Sequence, residues 1–386
     1  MLLLLRLKLQ VGYVLIIASA LLSALYLMPV ERIAATVRSA VADPVTIQLF
    51  FALTLIKVLE KILREQQVMA KMMEASRDLL KKRKAVIISM PLLIGLLPSL
   101  GGAYFSAPMV EEATKGLRMP AEEKGFINYW FRHPWEYVLP LYPGILLAAA
   151  ITRIELRSLI LSNAAYALLI CITGFLFSMR DIKPETRKSR NADSPFRFSG
   201  LASFLPIVLI LVLVIALKME LHYALGVTIA LLFLFYRFGP KAMVMTLRHG
   251  FTADVITLIF GAMLFKFAME NSGAVGNLSR YFTEEGIPLL PVLFVLPFVS
   301  GLLTGLTVGF VGSTFPLLIS LAAGAHLNQM TFAFASGFLG VLLSPVHICL
   351  VLTREYFKAD MWGIYRKIIP ASAIIMAAAL AEYFIL

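Results

Sequence analysis

The chain contains the same helix-breaking pattern twice, once in each half. Residues 90–108 and 296–316 both contain Pro-x3-Gly-Leu-Leu, followed by small and hydroxyl residues and a closing proline. Both segments are otherwise apolar. In lipid, such a broken helix is tolerated only where protein or a water-filled cavity satisfies its polar backbone groups. A pair of these segments, one per half, is typical of the binding site of a membrane transporter.

The composition indicates an integral, multi-pass membrane protein. Of all residues, 60% are hydrophobic and 15% are charged. Apolar runs approach or exceed the roughly 20 residues that span a bilayer; examples are 11–28, 159–177, 201–217 and 368–386. The net charge of +12 comes from Lys and Arg in the loops between these runs, which argues against nucleic acid as a partner. Cys171 and Cys349 lie inside apolar runs, and we interpret them as small core residues, not as disulfide or metal ligands.

The basic loops predict the topology. Segments 64–84 and 180–197 are rich in Lys and Arg, so both are expected on the cytoplasmic side. The intervening segment 85–110 is too short for two crossings at about 1.5 Å per residue, which predicts a re-entrant hairpin opening from the cytoplasm. The segment 288–324 must begin and end outside. It is expected to form either the opposed hairpin with an additional helix or two near-complete crossings.

These hairpins predict two inverted-topology repeats. The first covers residues 1–179 and the second 221–386, joined by a basic linker and connecting helix at 180–220. Ordered proline matches support the repeat: Pro91 with Pro297, Pro108 with Pro316, and Pro134 with Pro345.

The hairpin tips are the first candidate binding groups. Glycines there allow tight turns, and helix ends present N–H groups suited to an anion, whereas carbonyls and hydroxyls suit Na⁺. An alternative interpretation is close packing of small residues between helices. The candidates are Ser99, Gly101, Gly102 and Ser106 in the first hairpin, and Thr304, Gly305, Thr307, Gly312, Ser313 and Thr314 in the second.

Two proline-broken helices supply the second group. His133 precedes Pro134, and His347 follows the pair Ser344 and Pro345. Proline frees a carbonyl group, and histidine at membrane depth is a functional candidate. Alternatively, both histidines are structural partners, and Arg132 pairs with Glu136 at i,i+4.

Lys57 and Lys266 form a third group, because they occupy matching places and each precedes a glutamate. Snorkelling to the membrane interface is the first interpretation, and a buried ion pair or a substitute for a coupling cation is the second.

The chain resembles the ion transporter superfamily, which includes gluconate, citrate and C4-dicarboxylate permeases, over nearly its whole length. The resemblance lies in the helix end Phe-Ala-Met-Glu-Asn-Ser-Gly at 267–273, the glycine-rich hairpin at 301–316, and the segment 340–353. It is nearest to a prokaryotic branch described as domain of unknown function 401. The resemblance implies a scaffold domain, a transport domain with two hairpins, elevator-type movement, Na⁺ or H⁺ coupling and a cytoplasmic (inner) membrane location. Members often carry Ser-Asn-Thr at the hairpin tips, and this chain lacks that asparagine.

We therefore expect an all-α polytopic membrane protein that acts as a secondary active transporter of a small, anionic organic solute. The alternatives are a cation/proton antiporter or exporter on the same fold, a channel, and an intramembrane enzyme. No enzymatic activity is expected, because the sequence has no HExxH or Gly-x-Ser-x-Gly motif. No cofactor and no resident metal are expected, apart from Na⁺ as a coupling ion. The expected partners are the solute and membrane lipid, and the chain either forms a homodimer or does not.

Overall fold

The computed structural model describes residues 9–80, 82–98, 102–179, 202–322 and 324–385. Within these ranges the chain is helical and contains no β-strand. The predicted all-α class is therefore confirmed.

The helices of the first half are α1 Val11–Leu25, α2 Val30–Ala42, α3 Pro44–Glu65, α4 Val68–Leu79, α5 Arg83–Gly95, α6 Gly102–Ala113, α7 Ala121–Trp130, α8 Trp135–Val138, α9 Pro143–Thr152 and α10 Leu156–Ser178. A connecting helix follows, α11 Leu205–Leu211, which continues as a π-helical turn at Val212–Ala216. The second half contains α12 Leu221–Phe235, α13 Pro240–Gly250, α14 Ala253–Asn271, α15 Ala274–Glu284, α16 Leu289–Thr304, α17 Thr307–Leu321, α18 Leu327–Leu342, α19 Ile348–Phe357 and α20 Met361–Ile385.

The same order of elements occurs in both halves. In the first, the short amphipathic helix α2 bends by 46° into the long apolar helix α3; in the second, α13 bends by 41° into α14. A helical hairpin, an interrupted helix and a final long helix follow in each half. The sequence analysis placed these elements correctly but did not predict α2 and α13, which lie between the apolar runs.

Several helices suit a lipid bilayer. Among the described residues, three stretches are long and apolar enough to cross it, namely 121–152, α10 and α20, and the number rises to five if each bent pair counts as one span. Large apolar side chains such as Leu161, Leu168 and Phe384 are exposed on these helices. Exposed apolar surface of this extent is expected where lipid covers it.

The two hairpins are α5 with α6 (the first hairpin) and α16 with α17 (the second hairpin). In the second, Gly305 and Leu306 alone separate the two arms. The arms have 16 and 15 residues, and at 1.5 Å per residue each is about 24 Å long or less, shorter than a hydrocarbon core of about 30 Å. These lengths fit a hairpin and two near-complete crossings alike, so both arrangements for 288–324 stay predictions.

The two interrupted helices are the first broken span (α7, α8 and α9) and the second broken span (α18 and α19). Helix α6 of the first hairpin packs against α19, and α17 of the second hairpin packs against α9. The second arm of each hairpin therefore contacts the broken span of the other half, which brings both breaks together in the interior.

Some helix pairs are in backbone contact, and two of them concern the hairpins and the first helix. A Cβ atom on Gly301 or Gly340 would overlap the backbone of the facing helix, so α16 and α18 lie too close for side chains between them. The same holds where Gly12 of α1 crosses Gly261 of α14. Small residues at such crossings are the usual means of close helix packing in membranes.

Candidate binding site at the two helix breaks

The site is built around the interruptions of the two broken spans. Helix α7 ends at Trp130, and α8 begins after Pro134, which has no N–H group to continue a helical ladder. Helix α18 ends at Leu342, and α19 begins at Ile348 with His347 as its N-cap residue. Each break exposes main-chain polar groups and displays a histidine.

The carbonyl groups released near the breaks and the first hairpin are capped by side chains. The hydroxyls of Tyr129 and Tyr365 donate to the carbonyls of Leu342 and Leu343, both at 2.9 Å. At the end of α5, Trp135 Nε1 donates to the carbonyl of Leu92 at 2.7 Å. These carbonyl groups of the irregular backbone are thus hydrogen-bonded within the protein, as a low-dielectric environment requires.

His133 and His347 meet at the centre of the site. Their Nε2 atoms lie 3.1 Å apart, and the two residues are separated by 214 positions in sequence. Both side chains are buried, with exposed fractions of 1% and 5%. The sequence analysis proposed both histidines as site residues, and the structure brings them into direct contact.

The other ring nitrogens contact main-chain oxygens. His133 Nδ1 lies 2.6 Å from the carbonyl oxygen of Tyr129, and His347 Nδ1 lies 2.7 Å from that of Gly305. Because a carbonyl oxygen only accepts hydrogen bonds, each Nδ1 carries the hydrogen. This fixes the orientation of both rings and directs both Nε2 atoms toward each other.

Glu136 connects the first break to the second hairpin. The hydroxyl of Thr307, the first residue of α17, donates to Glu136 Oε2 at 2.6 Å. The other carboxylate oxygen lies 3.9 Å from Nε2 of His133. The sequence analysis considered Glu136 as an i,i+4 partner of Arg132 or, with His133 and His347, as part of a metal or acid–base site, and it did not predict the contact with Thr307.

Arg132 contacts the first hairpin. Its side chain is buried, and its guanidinium occupies the space that a Cβ on Gly102 would need. A larger residue at 102 would displace the guanidinium. Gly102 is therefore adjacent to the site, as predicted.

Ser99 and Gly101, the other candidates at this tip, lie outside the described residues.

A buried polar chain links the first hairpin to both broken spans. Ser106 Oγ donates to Asn128 Oδ1 at 2.6 Å. Asn128 Nδ2 in turn donates to the carbonyl of Ala103 at 3.0 Å and to Thr353 Oγ1 at 2.9 Å. Ser106 was predicted as a site residue, whereas Asn128 and Thr353 were missed. A polar residue in the middle of each apolar run was the only available signal.

The remaining candidates of the second hairpin divide into two groups. Gly305 adopts a positive φ of 62° and gives its carbonyl to His347, so it belongs to the site. Thr304 is half-buried in the same turn, and its hydroxyl donates to the carbonyl of Leu306 at 3.3 Å.

The second group lies further along α17. Ser313 bonds with Ser300 at 2.8 Å, and Thr314 donates to Phe310 of its own helix at 2.7 Å. Gly312 faces the side chains of Leu15 and Leu147. These three residues hold the arms and neighbouring helices together, and the structure does not bring them to the histidine pair.

At the second break, Ser344 and Pro345 have different environments. The Ser344 hydroxyl is buried and donates to the carbonyl of Leu302 at 2.7 Å, which ties the break to the second hairpin. Pro345 is exposed. Of this pair, only Ser344 contacts a residue of the hairpin turn region.

Cys349 is a site residue that the sequence analysis missed. Its Sγ and one ring nitrogen from each of His133 and His347 lie within 4.8 Å of one another, and all three residues are buried. The cysteine is not in a disulfide. A His-x-Cys spacing beside a helix break was the signal in the sequence.

The two lysines at matching places differ in environment. Lys266 is 4% exposed, and its ammonium has no hydrogen-bond partner among the described residues. Lys57 is half-buried. Snorkelling fits Lys57 but not Lys266, whose nearest charged neighbours include Glu270, Arg153 and Asp43.

A family model described as "Protein of unknown function (DUF401)" matches residues 1–386, the whole sequence. This match confirms the branch to which the resemblance pointed. No curated protein matches the chain.

Proposed function

The chain therefore belongs to the DUF401 family of proteins of unknown function, and we propose that it is a secondary active transporter of a small anionic organic solute, driven by Na⁺ or H⁺. One observation carries this proposal. Each half of the chain contributes one hairpin and one broken span, and residues from all four elements meet around buried charged and polar groups. Discontinuous helices that meet near the bilayer midplane form the substrate sites of many secondary transporters.

The charges of the site favour an anionic solute. Arg132 is buried beside the N-terminal end of α6, at Gly102. Helices α17 and α19 also begin at the site, at Thr307 and Ile348. Helix N-termini carry unpaired N–H groups and a partial positive charge, and an arginine adds a fork of donors suited to a carboxylate.

The repeated order of elements supports alternating access by inverted repeats. The basic segments 64–84 and 180–197 put the two hairpins on opposite faces of the membrane if the positive-inside rule holds. Two copies of one unit in opposite orientation give two related conformations, one open to each side. This orientation, together with a location in a prokaryotic inner membrane, is part of the proposal.

The close helix contacts suggest which parts move together. The second hairpin is in backbone contact with α18, and Gly95 of the first hairpin lies against the carbonyl of Arg132. We assign both hairpins and both broken spans to a transport domain. Helices α1 and α14, in contact at Gly12 and Gly261, belong to a scaffold. An elevator-type movement would carry the transport domain across the scaffold. In a homodimer, the scaffolds of the two chains would form the interface.

The experiment begins with the purified full chain in detergent. A thermal-shift screen of mono-, di- and tricarboxylates, with and without Na⁺, finds ligands because binding to the folded state raises the melting temperature. Uptake of each hit is then measured in proteoliposomes with an imposed Na⁺ or pH gradient. We expect uptake to require one of the two gradients.

Arg132→Gln should abolish this uptake, whereas Arg64→Gln should not. Arg64 is the matched control because it pairs with Glu60 on the surface, far from the breaks in sequence, and its side chain is 71% exposed. Wild-type uptake by Arg132→Gln would contradict the assignment of the site. A carboxylate screen without any stabilising ligand would contradict the substrate class.

A cation/proton antiporter is the second candidate, and Lys266 favours it. A buried ammonium inside an apolar helix, with Glu270 one turn later, is the kind of ionisable pair that marks ion pathways in membranes. Proteoliposomes containing a pH-sensitive dye and given a Na⁺ gradient, without organic solute, separate the two candidates. Proton flux that is lost in Lys266→Met would favour the antiporter.

A further inference from the structure

We propose that His133, His347 and Cys349 bind one borderline or soft transition-metal ion, of which Zn²⁺ is the test case, where the two broken spans cross. This proposal goes beyond the proposed transport, since it concerns a bound ion that is measured without any flux. It rests on the arrangement of three buried side chains from both halves.

The ring orientation is the first step. Because both Nδ1 atoms donate to main-chain carbonyls, at 2.6 and 2.7 Å, neutral imidazoles present a lone pair at each Nε2. These two lone pairs face each other across 3.1 Å. Two acceptors at this distance repel each other unless a cation lies between or beside them. Metal-binding histidines commonly donate their second ring nitrogen to a carbonyl in this way.

The spacing of the nitrogens is the second step. Two ligand atoms on a tetrahedral zinc ion, with Zn–N bonds of about 2.0 Å, lie about 3.3 Å apart. The observed separation of 3.1 Å between the Nε2 atoms is close to this value. Little rearrangement is therefore needed for both rings to ligate one ion.

Cys349 is the third ligand. Its sulfur lies within 4.8 Å of the two ring nitrogens, and it is held two residues after His347 in the first turn of α19. Two imidazoles and a thiolate form a donor set that suits Zn²⁺ and other borderline or soft ions, and poorly suits Na⁺ or Mg²⁺. On binding, the thiol loses its proton to solvent, so that the ligand is the thiolate.

Charge balance is the last step. A divalent ion with one thiolate leaves one positive charge, which is costly in a buried, low-dielectric position. The Glu136 carboxylate, whose Oε1 lies 3.9 Å from His133 Nε2, offsets part of the positive charge of the ion and of the neighbouring buried Arg132. Its other oxygen accepts from Thr307, which fixes the carboxylate beside the site.

A proton shared by the two Nε2 atoms is the competing explanation. It would satisfy the histidine pair equally well, with the Cys349 sulfur as a further hydrogen-bond partner of the two rings. The experiment must therefore detect the metal and its bond to sulfur directly.

The full-length protein is purified in detergent without a polyhistidine tag, treated with a chelator, and incubated with Zn²⁺ or Co²⁺. After removal of free ion, elemental analysis should find one ion per chain. The Co²⁺ form should show the charge-transfer absorption of a thiolate ligand and the d–d bands of a four-coordinate site. Absence of bound metal in the wild type would overturn the proposal and leave the shared proton.

Matched cysteine variants assign the ligand. Cys349→Ser should lose the charge-transfer band and most of the bound ion, whereas Cys171→Ser should keep both, because Cys171 lies in α10 outside the group. His347→Gln should also lose the ion. If this variant fails to fold, which size-exclusion chromatography would show, the wild-type measurement and the cysteine pair still decide the question. A thiolate band that persists in Cys349→Ser would overturn the assignment.

Discussion

The two hairpins contact the site in different ways, although their sequences share one pattern. The second hairpin reaches both breaks directly, because Gly305 accepts from His347 and Thr307 donates to Glu136. Among its described residues, the first hairpin reaches the site through residues of α7 and the α7–α8 break: Gly102 lies against Arg132, and Ser106 bonds to Asn128. A repeated sequence pattern therefore does not imply equal roles at the shared centre.

This difference predicts unequal sensitivity. Substitutions in the second turn remove bonds to groups at the centre, whereas substitutions in the first hairpin act on a polar chain beside it. The following changes test that inequality, and each is compared with a residue of the same type elsewhere in the chain.

The largest effect is expected for Gly305→Ala. Gly305 has a φ of 62°, and an added Cβ would lie 2.9 Å from the backbone nitrogen of His347. We expect a loss of about 3 kcal/mol, from left-handed strain together with the steric conflict. The midpoint of thermal unfolding in detergent measures it.

Gly286→Ala is the control for Gly305→Ala. Its φ is 61°, but nothing lies within 4 Å of the added Cβ. It should lose only the strain contribution, about 1 kcal/mol. Equal losses in both variants would show that the contact with His347 contributes nothing.

Thr307→Val comes next. It removes the hydroxyl that donates to Glu136 while keeping the shape of the side chain. A hydrogen bond to a charged group is worth about 1.5–3 kcal/mol, so we expect a loss in that range. Thr228→Val is the control, since its hydroxyl donates to Ala224 of its own helix, and it should cost about 0.5 kcal/mol, the lower end for a neutral hydrogen bond.

Ser106→Ala should have a smaller effect than Thr307→Val. It leaves Asn128 Oδ1 without its donor at 2.6 Å, which we expect to cost about 1 kcal/mol. Ser336→Ala, at a buried serine that bonds to Phe332 of its own helix, is the control. If Ser106→Ala destabilised the protein more than Thr307→Val, the first hairpin would be the one whose contacts with the site contribute more to stability.

The smallest effect is expected for Lys266→Met, which extends the comparison to the matching lysines. Removing the buried ammonium relieves its desolvation, and Arg153 stays near Glu270 as a compensating cation. We therefore expect a net change below about 1 kcal/mol, and a similarly small change for the half-buried Lys57→Met. A loss of several kcal/mol in Lys266→Met alone would reveal a buried ion pair that the fold requires.

The sequence predicted the helical spans and the breaks well, because apolar length, proline and glycine are local signals. It also named His133 and His347 as candidate site residues, since each lies within two positions of a proline at matching places. The inverted orientation of the halves stays a prediction, and so does the relation to the ion transporter superfamily.

The partners of individual polar groups could not be predicted. Asn128 and Thr353 are 225 positions apart in sequence and form a hydrogen bond. Glu136 accepts a hydrogen bond from Thr307, which is 171 positions away. Such pairs depend on how helices from different halves pack, and no local pattern encodes that packing. The spacing of His347 and Cys349 was a local signal, but the approach of His133 from the other half was not.

The crossing of α1 and α14 has a consequence for related chains. At Gly12 and Gly261 the two main chains touch, so no acyl chain can enter between them and no methyl group fits on either residue. In any homologue that keeps this crossing, both positions are expected to be glycine together, or to change together with a shift of one helix. The pair therefore serves as a fixed reference point for aligning distant members.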